Sequence, residues 1–198
     1  MGRLRGRQRS IDRLAYTGTL DGRMFTIDVA DGKVLSLLKC PAGITTRVLC
    51  DQGTLYFGCA DGNVRAVSAE DGRVLWTASV GHALTDGELA LSASRLVAID
   101  EQGNLIALRR ENGQRDGLLA LEGVPQHGIR VQGNRAFVQL RVSKSRNLPT
   151  RDVLHAVALD SMTMLWQYVD QGVVPGLPGV DEMSVAWPSS TGEVVLFR

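Results

Sequence analysis

The sequence predicts an all-β fold made of repeated short strands, and three observations predict it. Asx-Gly pairs punctuate the chain at Asp21-Gly22, Asp31-Gly32, Asp61-Gly62 and Asp71-Gly72; between short apolar runs they are a strong hairpin signal, because glycine accepts the positive φ of a tight turn. One repeat position, held by Gly22, Gly62, Gly103, Asp152 and Gly192, recurs at intervals of 40, 41, 49 and 40 residues. Each interval holds several runs of strand length. A repeat of about 40 to 45 residues with several strands per unit is a β-propeller blade. About five blades are therefore expected over residues 11–198, the first and last incomplete, behind a basic flexible leader at 1–10.

The second repeat is the clearest. Strand A is expected at 47–50, B at 54–58, C at 63–68 and D at 73–78, which gives Leu55, Phe57, Val64, Ala66, Val74 and Trp76 the positions of inter-blade packing residues. The first repeat has B at 14–18, C at 23–28 and D at 33–38, with only the basic segment near Gly6–Ser10 left for A. In the third, A falls near 88–91, B at 95–99 and C at 104–109, and 114–121 makes a poor D strand. The fourth has A near 128–132, B at 135–140, C at 153–158 and D at 164–169; its B–C connection, 141–151, carries the insertion that lengthens that interval. The last repeat ends on strand C at 193–198. Blade units cannot bury their faces alone. The expected arrangement is a closed five-bladed ring with two three-stranded blades; the other is an open arc completed by another chain.

Composition narrows the function classes. With 22 Lys and Arg against 21 Asp and Glu in 198 residues, the net charge of +1 creates no global field toward nucleic acid or anionic membrane. No apolar run reaches the roughly 18 to 20 residues of a membrane-spanning helix, and MGRLRGRQRS lacks the apolar core of a secretory signal. A cytoplasmic location is the expectation. Cys40, Cys50 and Cys59 form no C-x-x-C pair and are read as reduced thiols packed like small apolar residues.

No catalytic, cofactor-binding or metal-ligating set emerges from the spacing. His82, His127 and His155 are isolated. Asp100/Glu101 and Asp181/Glu182 read as solvated turn residues rather than an acid and a base, which need distinct environments. There is no G-x-S-x-G and no phosphate-cradling loop. The local charge anomaly is the leader, with Arg3, Arg5, Arg7, Arg9 and Arg13; clustered guanidiniums bind phosphates and carboxylates bidentately.

The segment Ala66-Val-Ser-Ala-Glu-Asp-Gly72-Arg-Val-Leu-Trp76 resembles the tryptophan-docking motif of PQQ-like, WD40-like propeller repeats, with Ser68 in place of the motif's Asp. Ala156 and Trp166 match its ends in the fourth repeat, Ala107 and Gly113 match in the third, and Asp28 and Gly32 in the first, which ends at Ser36. The resemblance runs from about Leu14 to Trp166 and implies that Trp76 and Trp166 are structural, each lying against a turn of the next blade. Quinone enzymes of this kind use larger rings with axial Glu, Asn and Asp ligands, and no such set is present. Many relatives are scaffolds, among them the bacterial outer-membrane assembly propeller, which this chain also resembles at repeat level.

The resulting expectation is a non-enzymatic scaffold, with no cofactor, that binds protein partners within a larger assembly. Lys144 and Arg146 in the 142–150 loop are the candidate contacts, together with Arg3, Arg5, Arg7 and Arg9. One alternative is a nucleic-acid-binding subunit that uses the leader and the 141–151 loop. The other is a fragment of a quinone-dependent dehydrogenase.

Overall fold

The computed structural model describes residues 13–84, 89–143, 150–181 and 184–197. Among these, every regular element is a β-strand. The first sheet comprises β1 (Leu14–Gly18), β2 (Arg23–Asp28) and β3 (Val34–Lys39); the second β4 (Leu49–Asp51), β5 (Thr54–Gly58), β6 (Asn63–Ser68) and β7 (Val74–Ser79). The third holds β8 (Leu89–Leu91), β9 (Arg95–Ile99), β10 (Asn104–Arg109) and β11 (Arg115–Ala120). The fourth has β12 (Val124–Gln132), β13 (Arg135–Val142), β14 (Arg151–Ala158) and β15 (Thr163–Val169), and the fifth β16 (Gly179–Val180), β17 (Val185–Pro188) and β18 (Val194–Phe197). Each sheet is an antiparallel meander in chain order, which is the topology of a propeller blade.

The sequence repeat corresponds to one recurring hydrogen bond. Cys40, Val80, Leu121 and Asp170, each just past an outer strand, donate their backbone N–H to the carbonyls of Gly22, Gly62, Gly103 and Asp152 at 2.7, 2.9, 3.0 and 2.9 Å. The first three bonds tie the exit of a blade to its own B–C turn, and in blade four the acceptor, Asp152, lies within β14. Glycine suits three of these positions because the turn needs positive φ, 85° at Gly22, 71° at Gly62 and 83° at Gly103.

Four apolar clusters fill the four junctions between successive blades. Met24 and Cys40 meet Leu55, Phe57 and Val67 between blades one and two. Tyr56, Ala66 and Trp76 meet Leu96, Ala98 and Leu108 at the next junction, and Val97, Ile99 and Ala107 meet Val138, Leu140 and Met162 after that. Phe137, Leu154 and Ala156 meet Val185 and Trp187 between blades four and five. Among the described residues no cluster joins blade five to blade one. Among the described residues the five sheets thus show no closed ring, in keeping with an open arc rather than the closed ring expected first.

Several local expectations change. The outer strand expected within 114–121 forms as Arg115–Ala120, paired with β10 across a bulge between Ala107 and Leu108 despite its weak apolar pattern. Strand β12 begins at Val124 rather than near 128 and follows β13 outward across a bulge between Pro125 and Ile129. Val74 is exposed, since the outermost strand presents one side to solvent. Cys40 and Cys59 are buried free thiols, whereas Cys50 is exposed and is no core residue. Burial pushes the Cys59 thiol up to about 12 and raises that of Cys40, so both stay protonated and unreactive.

Candidate functional site

The insertion lies on a projecting hairpin. In blade two the β5–β6 ladder closes at Gly58 opposite Val64, but in blade four the β13–β14 ladder continues beyond the corresponding pair, Gln139 opposite Leu154. It runs on through Leu140–Val153, Arg141–Asp152 and Val142–Arg151. Strand β12 accompanies it, pairing Val124 with Arg141 and Pro125 with Leu140. The three strands form a tip with a concavity of about 600 Å³ at its side, lined by Glu122, Val124, Gln126, Arg141, Val142 and Thr150. Lys144 and Arg146, the expected contact residues on this loop, lie outside the described residues, as do Arg3, Arg5, Arg7 and Arg9 of the leader.

The base of the tip is a buried polar lock. Asp152 is fully buried and receives Arg141 Nε at 2.8 Å and Nη2 at 3.1 Å. It also accepts Gln139 Nε2 at 3.1 Å and the backbone N–H of Val174 at 2.7 Å. Gln139 in turn accepts the Trp187 indole N–H at 3.2 Å. Burial of a carboxylate is tolerable only when its lone pairs are met by charge and hydrogen bonds, and here all partners are supplied. The lock therefore joins the tip, blade four and the incoming fifth blade. Sequence reasoning placed Asp152 only as the residue standing where glycine recurs; that departure was the one signal available. Arg141, counted among the basic residues of the insertion, is committed to this carboxylate.

The tryptophan positions are geometrically distinct. Trp76 is 9% exposed, donates its indole N–H to the Arg110 carbonyl at 2.8 Å and lies 6.0 Å from the Tyr56 ring centroid. It covers Gly113, where an added Cβ would stand 2.6 Å from Trp76 Cε3. Gly72, with φ of 75°, lies beneath Leu37 in the same manner. Ala66 and Ala156 sit directly opposite Trp76 and Trp166 in the strand register, small residues that leave room for the indoles. Trp166 stacks on Phe197 at 4.8 Å and lies 6.1 Å from Phe137, bringing β18 against blade four.

Beside Trp76 a second groove of about 670 Å³ holds Arg95, Arg109 and Arg110. Arg95 binds Asp116 and the Leu159 carbonyl, each at 2.7 Å, and Arg109 reaches Asp116 at 3.3 Å. Arg110 pairs with Asp51, donates to the Ser92 and Ala93 carbonyls at 3.1 and 3.2 Å, and lies 5.6 Å over the Tyr56 ring. These guanidiniums connect strands and blades to one another.

The carboxylates are likewise occupied. Asp100, expected to be solvated, is fully buried and accepts the N–H groups of Gln102 and Asn104 at 3.0 and 2.9 Å and Asn104 Nδ2 at 2.8 Å. It stabilises its own hairpin turn, as short Asp side chains do. Asp181 accepts Ser184 N–H at 2.7 Å, and Glu182 lies outside the described residues. Among the described residues no group of three or more His, Cys, Asp or Glu is arranged to hold a metal ion. Among the described residues no helix is long and apolar enough to cross a membrane.

His155 is 3% exposed in β14, and its Nδ1 has no hydrogen-bond partner among the described residues. Burial lowers its pKa from the ordinary 6.5, partly offset by the backbone of Val138 and Val153. The unfolded chain thus binds the proton more readily. The stability held by neutral His155 is complete above about pH 6.5 and is lost as pH falls through the lower folded value. The melting temperature is expected to drop as the pH falls below about 6.5, and His155→Gln should flatten that slope in a thermal-melt series. An equal slope in the variant would place the titration elsewhere.

The family described as outer membrane protein assembly factor BamB matches residues 5–142. Among solved structures, the computationally designed protein Ika8 is 16% identical with a TM-score of 0.77, over 96% of this chain and 56% of that one. BamB from Moraxella catarrhalis is 14% identical with a TM-score of 0.69, over 95% and 56%. The designed protein Ika4 is 14% identical with a TM-score of 0.66, over 82% and 94%. At these identities the likeness concerns the fold. The chain spans 56% of the length of both Ika8 and the Moraxella protein, so its five blades follow only part of those longer arrays. None of the curated proteins matches the chain significantly.

Proposed function

Since the chain belongs to the family of the outer membrane protein assembly factor BamB, a PQQ-like repeat family, we propose that it is a non-catalytic protein-docking propeller segment working within a larger assembly. The carrying observation is where the polar groups go. Arg95, Arg110 and Arg141, which line the two concavities, and the buried Asp152 and Asp100 are each bound within or between blades, so the site-like residues serve rigidity while the projecting tip is left to meet a partner. Loops carried on a rigid scaffold are where binding concentrates. The fold by itself does not fix a function, and the family name describes a factor in outer-membrane protein assembly.

Cytoplasmic residence belongs to the same proposal, supported by Cys40 and Cys59 lying together as free thiols. Alkylation of these thiols in cell extracts under denaturing, non-reducing conditions tests it: oxidised thiols would move the protein to an oxidising compartment.

Replacing residues 143–150 by a short Gly-Ser turn is expected to leave the melting temperature nearly unchanged, because surface-loop length contributes little closure entropy. Complexes captured from the native host by the unaltered chain should be weakened. Undiminished capture by the folded variant would remove the tip as the contact surface. Binding of single-stranded or duplex nucleic acid that weakens steeply with salt would favour the nucleic-acid alternative, and quinone-dependent turnover would overturn the non-catalytic reading.

A further inference from the structure

We propose that Cys40 and Cys59 form a redox-sensitive staple: oxidation by a small-molecule disulfide joins them in a covalent bond that fastens blade one to blade two. Cys40 follows β3, the outer strand of blade one, and Cys59 follows β5 of blade two. Both are free and buried, at 5% and 0% exposure, within the cluster that fills the junction between these blades. The pair belongs to the first junction and not to the projecting tip of blade four, so the staple is independent of what docks there.

The backbone holds the two thiols in place. The connector 40–45 is bound to both blades: Cys40 and Ile44 donate their N–H groups to the carbonyls of Gly22 and Thr19 in blade one at 2.7 and 3.0 Å. Thr45 donates to the Gly58 carbonyl at 3.0 Å, Ala60 to that of Gly43 at 2.9 Å, and Ile44 stands opposite Cys59 in an isolated bridge. Cys59 is therefore held against the chain that leads out of Cys40, and the Cys40 thiol lies within hydrogen-bonding reach of it. The Arg65 guanidinium, 9% exposed and held by Asp61 at 2.6 and 3.2 Å, reaches the Cys59 sulfur.

Thiol–disulfide exchange needs a thiolate. Burial raises both thiols, that of Cys59 to about 12, and Arg65 opposes the rise, so the closed junction keeps the pair reduced. Local opening removes the burial and leaves the guanidinium beside Cys59 to stabilise its thiolate. That thiolate attacks one sulfur of oxidised glutathione and expels a glutathione thiolate; Cys40, deprotonated in turn, attacks the mixed disulfide and expels the second. Two cysteine thiols and one glutathione disulfide thus become one protein disulfide and two glutathione thiols, the cysteine protons passing to the expelled thiolates. The new bond closes the loop 40–59 and restricts the unfolded chain.

The test uses the full chain carrying Cys50→Ser, which removes the exposed third thiol. The reduced protein is incubated with oxidised glutathione at the urea concentration where Cys40 and Cys59 become open to alkylation. The expected product is lighter by two hydrogens, has its residue-40 and residue-59 peptides linked in mass spectrometry, and leaves no thiol to alkylate after denaturation. Once the urea is removed, its melting temperature should exceed that of the reduced chain by about 5 to 10 °C and fall back on reduction. Cys59→Ser in the same background should carry glutathione on Cys40 and melt no higher than its reduced form. The proposal is overturned if the two accessible thiols stay reduced or end as separate glutathione adducts, or if the linked chain melts no higher than the reduced one.

Discussion

Trp76→Ala is expected to destabilise the fold by about 3 to 5 kcal/mol, the range for truncating a buried aromatic side chain. The indole occupies the second junction, covered on one side by Tyr56 and resting on Gly113 of the following blade. Its removal leaves a cavity that the backbone of Gly113 cannot fill, and it strands the Arg110 carbonyl that now accepts the indole N–H. Trp76→Phe separates the two contributions: it keeps much of the aromatic volume and loses the hydrogen bond, worth about 1 kcal/mol. Denaturant unfolding measures both. A Trp76→Ala midpoint equal to that of the wild type would mean that the indole is not part of the cooperative core.

Asp152→Ala should be comparably damaging, by a different route. Breaking a buried ion pair by removing one partner typically costs about 3 to 5 kcal/mol, because the remaining groups lose their compensation. Here Gln139 Nε2 and the Val174 N–H are left in the interior, while Arg141, 30% exposed, recovers part of its hydration. Asp152→Asn should cost less, since its side-chain oxygen can still accept from Val174. The loss should also be local. Hydrogen exchange is expected to accelerate in β16–β18 and at the tip before β4–β7, because the lock fastens blade five to blade four. Equal acceleration in β4–β7 would show that the carboxylate stabilises the arc as a whole.

The strands at 54–58 and 63–68 were legible to the residue because Asp61-Gly62 separates them and Asp71-Gly72 follows, and those at 95–99 and 104–109 because they repeat the same spacing one repeat later around Gly103. Strand β11 was placed within 114–121 but read as weak, since its register comes from pairing with β10 rather than from its own alternation. The placement of Asp100 was misread for a related reason. An Asp in a turn reads as solvated, yet its carboxylate folds inward to hold two N–H groups only once the hairpin exists. The tip was visible as a 49-residue interval among intervals of 40 and 41. Its lock was invisible, because Arg141 and Gln139 of β13, the Val174 N–H beyond β15 and, through Gln139, Trp187 of β17 meet around Asp152, and no linear spacing encodes that meeting.

One contact pair has a consequence for how the arc assembles. At the second junction a large side chain, Trp76, projects forward over Gly113; at the third the sizes are exchanged, with Gly117 in the strand position opposite Ala107 and Met162 reaching back from the next turn. A Cβ added to Gly117 would stand 2.3 Å from Met162 Cγ, and Met162 holds a φ of 50° that its side chain rarely adopts. Neighbouring repeats of similar length are prone to docking out of sequence as they fold. Here a mistaken partner would bring two bulky groups together or leave two glycines facing a void, so each junction carries its own address. A chain with blades three and four exchanged would retain every strand and still lose its correct order of assembly.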